Sequence, residues 1–322
     1  MEFIEHTITD GLAFGLPLFI IAAGGIFSEK SGVTNLALEG FQGFGAFCGA
    51  LVATLVSEFM GLSSTLVIVL SILAAMIGGA LFAGIHALLC IKYRSNQVIS
   101  GVVINILAVA LTTFLTTQVN SSLQGNASNK FTLDVLPRFT VPGISEVPIL
   151  GAFFTDIYPY EILILILAAV VFYVMYYTRF GMHLRACGEN PQSLDAAGGN
   201  VIRVRYRAVF LSGALSGIGG ICIAYSILSM FSPSIYMGFG YLAIAAMIFG
   251  NWEVLPTLLV CIFFGMARAG GYQLCLKMGL ASIYTDLFMI LPYVLTLFLL
   301  VFFSKKNHPP KAAGEPYDQG KR

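Results

Sequence analysis

Charge is scarce in this chain. Asp, Glu, Lys and Arg make up 10% of its 322 residues, against about a quarter in ordinary soluble domains. So few charges cannot coat a water-facing surface of this size, which excludes a soluble globule. Neither sign is in surplus: 17 basic and 16 acidic residues leave a formal net charge of +1, which argues against a nucleic-acid binder. The six cysteines, Cys48, Cys90, Cys187, Cys222, Cys261 and Cys275, include no close pair. They indicate neither a disulfide framework nor a zinc site and are read as small apolar packing residues. A Gly-x-x-x-x-Gly-Lys loop and a His-Glu-x-x-His helix are also missing, and no Ser/His/Asp set is suggested by spacing. The chain is therefore expected to have no cofactor and no catalytic constellation. Hydrophobic residues make up 57% of it, with 26 Phe and 34 Gly and a mean hydropathy of +0.86. Disorder is excluded by this composition, and most of the surface must meet lipid.

A helix needs roughly 20 mostly apolar residues to cross the hydrocarbon. Uncharged runs cover residues 11–28, 40–57, 61–91, 95–129, 162–178, 208–252, 254–267 and 287–304. The longest, 208–252, contains Ser229, Ser232, Pro233 and Ser234 near its middle and is split there, giving an all-α polytopic bundle of about nine spans. Basic residues stay on the cytoplasmic side. With the C-terminus inside, the inside segments hold 13 of the 17 Lys and Arg residues, and the odd number of spans puts the N-terminus outside. The first apolar run lacks a basic n-region and is read as a retained span. On this reading residues 1–304 are the transmembrane domain, 119–159 an outer loop able to form a small cap, and 179–207 a cytoplasmic loop. Residues 305–322, with Pro309, Pro310, Gly314 and Pro316, are expected to be disordered. Small residues at helical spacing, Gly213 with Gly217 and Ala80 with Gly84, predict close helix contacts and a compact bundle.

Two breaks interrupt the hydrophobicity, at residues 28–40 and 229–240. Each leads through a short polar, glycine-containing stretch into another apolar helix. They face opposite sides on the charge count, as in an inverted-topology repeat, and such breaks line permeation paths when irregular backbone sits at membrane depth. The residues alone equally allow two ordinary interfacial loops. Ionisable groups inside the spans are few: His86, with Arg268 and Asp286 near span ends. That leaves little machinery for coupling to protons or sodium.

Within 179–207, Asn190 is a favoured N-cap, Pro191 suits the first helical position, and Gly198 with Gly199 supply a stop. The spacing predicts a helix of about two turns with Leu194 and Ala197 on one face. Two readings stand: a lever seated in a cytoplasmic ATPase, or a helix resting on the membrane.

These residues also carry a resemblance. Ser28-Glu29-Lys30-Ser31-Gly32-Val33-Thr34-Asn35-Leu36-Ala37-Leu38-Glu39-Gly40 resembles a signature of permease subunits of bacterial ABC importers of the simple-sugar and nucleoside type. Arg185-Ala186-Cys187-Gly188-Glu189-Asn190-Pro191 with Ala196-Ala197-Gly198, then Arg205-Tyr206 and the stretch 211–217, resemble a second. Gly238-Phe239-Gly240-Tyr241 and Ile248-Phe249-Gly250-Asn251-Trp252 are similar to a third. Lys30 stands where Arg is usual, and Gly199 where a β-branched residue is common. The resemblance, spanning about residues 11–303, implies a vitamin-B12-type (type II) permease bundle in the bacterial inner membrane. Implied partners are a cytoplasmic ATPase, often a double-domain chain that binds the ATP, a second permease forming a heterodimer, and an extracellular substrate-binding lipoprotein.

The resulting expectation is an importer permease, not an enzyme, passing a neutral ring-containing solute: a nucleoside, or next a simple sugar. Gly188, Glu189, Asn190, Pro191, Leu194, Ala196, Ala197 and Gly198 are the expected ATPase contacts. Asn35, Glu39, Gln42, Asn105 and Phe239 are the expected pathway residues. Hydrogen-bonding amides and aromatic faces suit a neutral solute, which needs no intramembrane counter-charge. The rival reading is a stand-alone secondary carrier or channel.

Overall fold

A computed structural model of the chain describes residues 2–60, 63–145, 147, 150–227, 229–280, 284–303 and 307–318. Among the described residues the regular structure is helical except for two short strands. The helices are α1 (Glu2–Lys30), α2 (Leu38–Met60), α3 (Ser64–Ala87), α4 (Gln97–Gln124), α5 (Pro159–Tyr177), α6 (Arg179–Glu189), α7 (Pro191–Ala196), α8 (Val201–Ile227), α9 (Phe239–Phe249), α10 (Val254–Lys277), α11 (Thr285–Met289) and α12 (Leu291–Phe303). Helix α3 continues into one π-helical turn, Leu88–Lys92.

Among the described residues seven helices, α1 to α5, α8 and α10, are long and apolar enough to cross a membrane. This corrects the expected nine spans. The run 208–252 was divided into two crossings, but its second part, α9, has only 11 residues, about 16 Å at 1.5 Å per residue. That is roughly half the thickness of a hydrocarbon core. Helix α12, at 13 residues, is also short.

Helix α1 is apolar all round and lies at the centre, buried from Gly11 through Glu29; a helix without a polar face belongs inside a bundle. Helices α8, α10 and α9 surround it, and α2 and α3 pack on α8. Leu81, Ile106, Phe114, Leu259 and Leu297 point outward, as lipid-facing residues should.

The small-residue expectation applies where α8 meets α3. A Cβ on Gly213 would lie 2.3 Å from the Gly79 carbonyl oxygen, and one on Gly217 would lie 2.1 Å from that of Ala75. Backbone blocks backbone there, so no rotamer change relieves it. We expect Gly217→Leu to destabilise the bundle by about 3 kcal/mol or more, read as early thermal aggregation in detergent. Gly84→Ala, whose nearest neighbour is the Phe210 ring at 3.2 Å, should change little.

Connections gather at two ends. At one end the described residues of 125–158 form a cap over the helix termini. Its strand β1 (Phe131–Thr132) pairs antiparallel with β2 (Met230–Phe231) of the second break, and Phe47, Phe131, Phe231 and Tyr236 cluster beneath. At the other end lie the first break, the turn between α3 and α4, helices α6 and α7, and the tail. Residues 307–318, expected to be disordered, pack here. His308 N–H donates to Asn251 Oδ1 at 2.8 Å, Ala312 N–H to the Gly188 carbonyl at 2.8 Å and Gly314 N–H to the Gly32 carbonyl at 3.1 Å. Residues 305–306 and 319–322 lie outside the described residues.

Candidate translocation site and coupling loop

The first break enters the bundle. Arg205 of α8 holds the Ser31 carbonyl, while Ser212 of the same helix accepts from Asn35 Nδ2 at 2.9 Å. These two anchors are seven residues apart on α8, so the backbone climbs about 10 Å between them before α2 begins. The second break descends from β2 and ends where α9 begins. The starts of α2 and α9 therefore meet inside the bundle.

Glu39 joins them. Gly238, the N-cap of α9, has φ +92° and no side chain with which to cap. Its N–H donates instead to Glu39 Oε2 at 2.8 Å. A carboxylate at a helix N-terminus satisfies free N–H groups and complements the dipole; here it is supplied by another helix. The approach is tight, since a Cβ on Gly240 would sit 2.5 Å from the Glu39 backbone. Asn105 of α4 accepts from Gly40 N–H at 2.8 Å and donates to the Leu36 carbonyl at 2.8 Å and to Tyr241 Oη at 3.0 Å. Gln42 Nε2 donates to the Tyr236 carbonyl at 2.9 Å, while its buried Oε1 has no partner among the described residues. Phe239 meets Phe14 edge-on at 5.1 Å, with the Arg268 guanidinium 4.6 Å over the Phe14 ring.

Four of the five expected pathway residues, Glu39, Gln42, Asn105 and Phe239, thus surround one junction. Asn35 does not join them: bonded to Ser212 and to Ala37 N–H, it fixes the first break to α8. Spacing gave no sign of Phe14, Tyr236, Tyr241 or Arg268 as partners. On the cap side of the junction, Asp10, Phe14, Arg138, Arg268 and Tyr272 line a cavity of about 370 Å³. His86 is a buried packing residue bonded to Ser100 Oγ at 2.9 Å.

At the opposite end α7 runs from Pro191 to Ala196. Asn190 Oδ1 caps it, accepting from Ser193 N–H at 3.0 Å. It closes through Gly198, at φ +82°, and Gly199, whose N–H donates to the Leu194 carbonyl at 2.9 Å. A Cβ on Gly199 would meet the Leu194 side chain at 2.4 Å, so a larger residue there would require Leu194 to shift. Leu194 is 4% exposed and packs inward, as do Gly188 and Pro191, whereas Glu189, Asn190, Ala196, Ala197 and Gly198 are exposed. Leu194 is thus covered by the bundle, while Ala197 three residues on is open.

This loop is bonded directly to the first break. Cys187 Sγ donates to the Ser31 carbonyl at 3.1 Å and Arg205 Nε to the same oxygen at 3.2 Å; Arg205 Nη1 reaches the Glu315 carbonyl at 2.9 Å. Burial pushes the Cys187 thiol up, against the pull of Arg205, so it stays a protonated donor. Gly188 lies on the Lys30 carbonyl. Trp252 Nε1 donates to Glu29, tying the far end of α9 to α1 beside the same node.

Residues 7–300 match the family described as branched-chain amino acid transport system / permease component. The chain belongs to that family. The permease is 36% identical, over all of its length and 99% of the relative, to the guanosine ABC transporter permease protein NupQ of Bacillus subtilis. It is 35% identical, over 99% of its length and 98% of the relative, to the nucleoside ABC transporter permease protein NupC of Lactococcus lactis. It is 30% identical, over 84% and 78%, to a putative glucose ABC transporter permease protein of Haloferax volcanii. No solved structure matches. Family membership corrects the expected architecture: the bundle is grouped with the branched-chain amino acid permease components, not with the distinct vitamin-B12 type. The permease is a multi-span, non-catalytic subunit of an ABC importer, and membership implies an ATPase and a substrate-binding protein as partners.

Proposed function

We propose that this permease imports a nucleoside across the bacterial inner membrane, with the cap end outside and the coupling loop in the cytoplasm. The observation that carries the reading is the Glu39–Gly238 junction. Two helix starts meet there among amide, phenol and aromatic groups, and the connecting backbone is bonded to the loop an ATPase would grip. Phe14, Phe239 and Tyr241 offer faces to a base; Asn105, Gln42 and the tyrosine hydroxyls offer hydrogen bonds to a sugar. The guanosine and nucleoside relatives support the same solute class.

The exposed residues Glu189, Asn190, Ala196, Ala197 and Gly198 would meet a double-domain ATPase chain, and Gly188, Pro191 and Leu194 would hold the loop to the bundle. A second, different permease subunit and a substrate-binding lipoprotein would complete the importer. ATP-driven movement of α6 and α7 would pull on Ser31 and Gly32, shift the start of α2 relative to α9, and switch the passage between its two openings.

Reconstitution of the assembled importer in proteoliposomes with labelled guanosine tests this reading. ATP-dependent accumulation that excess unlabelled nucleoside abolishes, and excess glucose does not, is expected. Competition by glucose alone would transfer the solute to the sugars, and accumulation by this chain without any ATPase would overturn the proposal. Within the same assay Ala197→Glu, on the exposed face of α7, should leave the bundle stable but cut uptake at least tenfold. Leu194→Ala should act instead through stability, by about 2–3 kcal/mol.

A further inference from the structure

We propose that the coupling-loop end carries a binding site for a phosphate-bearing ligand, in the cavity between the π-helical turn, the start of α8 and the tail. This cavity, of about 360 Å³, is lined by Lys92, Arg94, Arg205, Tyr206 and Tyr317 together with Ile91 and Ile202. Three of its residues are cations. Arg205 is 2% exposed, its Nη2 has no hydrogen-bond partner among the described residues, and no ion pair is formed by it among them. A buried guanidinium given to the carbonyls of Ser31 and Glu315, with the Cys187 thiol beside it, meets no carboxylate among the described residues, and an anion in the cavity would offset the cost of its buried charge.

The backbone beside the cavity is irregular. The π-helical turn Leu88–Lys92 leads straight to Arg94 at φ +53°, a conformation that costs a non-glycine residue of order 1 kcal/mol and gathers at functional positions. Arg94 is engaged by Asp318 at 3.5 Å, with both side chains about half exposed, so the tail already places a carboxylate at the mouth of the cavity. Ile91 and Ile202 give it an apolar side beside the cations. Basic pockets between membrane helices take phosphate headgroups in this way. The shared chemistry is a phosphate oxyanion, and the apolar side favours an anionic phospholipid as its source over a free phosphate.

The test compares the purified full-length chain in nanodiscs of phosphatidylcholine alone, of phosphatidylcholine with one tenth phosphatidylglycerol, and of phosphatidylcholine with millimolar inorganic phosphate. Native mass spectrometry counts bound lipid and a thermal melt reads stabilisation. Phosphatidylglycerol is expected to be retained selectively. Lys92→Gln and Arg94→Gln should each weaken retention about fivefold and together roughly twentyfold, and Asp318→Asn, by removing the competing carboxylate, should strengthen it. Both arginine and lysine variants sit at exposed positions, so folding is preserved. Stabilisation by inorganic phosphate in phosphatidylcholine would keep the site and assign it to a soluble phosphate. Equal retention of both lipids with no phosphate effect, or selectivity unchanged in the double variant, would overturn the proposal.

Discussion

Replacing Glu39 with Ala should abolish nucleoside uptake while leaving the chain in the membrane. The side chain supplies the cap that Gly238 lacks, and losing a cap costs about 1–2 kcal/mol. That is too little to unfold a bundle of this size, but enough to release the start of α9 from α2. We expect at least a tenfold loss of uptake in Glu39→Ala. Glu39→Gln, which keeps an acceptor but loses the interaction of charge with the α9 dipole, about 0.3–1 kcal/mol, should retain an intermediate rate. Gly238→Ala approaches the same junction from the other side. Its φ of +92° strains any L side chain, and the added Cβ would meet Tyr293 Oη at 3.0 Å, so uptake should fall as it does in Glu39→Ala. Initial rates in proteoliposomes, normalised to inserted protein, measure all three. Unimpaired uptake in Glu39→Ala would remove the junction from the path.

Replacing Arg205 should separate ATP hydrolysis from transport. Its guanidinium ties α8 to the Ser31 carbonyl of the first break and to the Glu315 carbonyl of the tail, and a hydrogen bond to a charged group contributes about 1.5–3 kcal/mol. In Arg205→Gln the ATPase of the assembled importer should keep turning over while uptake falls at least tenfold, because displacement of the coupling loop no longer reaches the start of α2. Arg205→Lys, which keeps the charge without the fork geometry, should couple better than Gln and worse than Arg. If Arg205→Gln does not assemble, the Lys variant carries the test through its ratio of ATP hydrolysed to solute moved. Loss of hydrolysis and uptake in equal proportion would contradict a transmitting role.

Local chemistry explains which parts of this arrangement were legible in the sequence. Asn190, Pro191, Gly198 and Gly199 define α7 because capping depends on residues within one turn, and Gly213 with Gly217 mark the α3 contact because small residues are the condition for close approach. Glu39 and Gln42 could be singled out because polar groups stand out beside a break in an oily sequence, Asn105 as an amide within a span, and Phe239 as an aromatic at the end of the second break; that the four lie at one junction could not. The orientation of Leu194 was not legible: a helix of six residues has too short a period to show which side is covered. The partnership of Arg205 with Ser31 and Glu315 joins segments 174 and 110 residues apart, and no spacing rule reaches that far. The tail, read from its prolines and polar residues as disordered, is held by backbone N–H groups of Ala312 and Gly314, which composition does not reveal. The span count failed for a related reason. An apolar run shows that a segment is covered by lipid or protein, but not that it traverses the full thickness, and α9 starts part-way in.

The most direct measurement is the accessibility of the cavity beside Phe14 through the ATP cycle. Ala13 lines that cavity and is 6% exposed. In a chain that keeps the buried Cys187, which holds the Ser31 carbonyl, and has the other five cysteines replaced, Ala13→Cys is labelled by a membrane-impermeant maleimide added from the cap side of the assembled importer, with and without vanadate-trapped nucleotide. A change in labelling rate of at least tenfold between the two states, lost in Arg205→Gln, is the predicted result. Identical rates in both states with the wild-type Arg205 would contradict the claim that the coupling loop drives the junction.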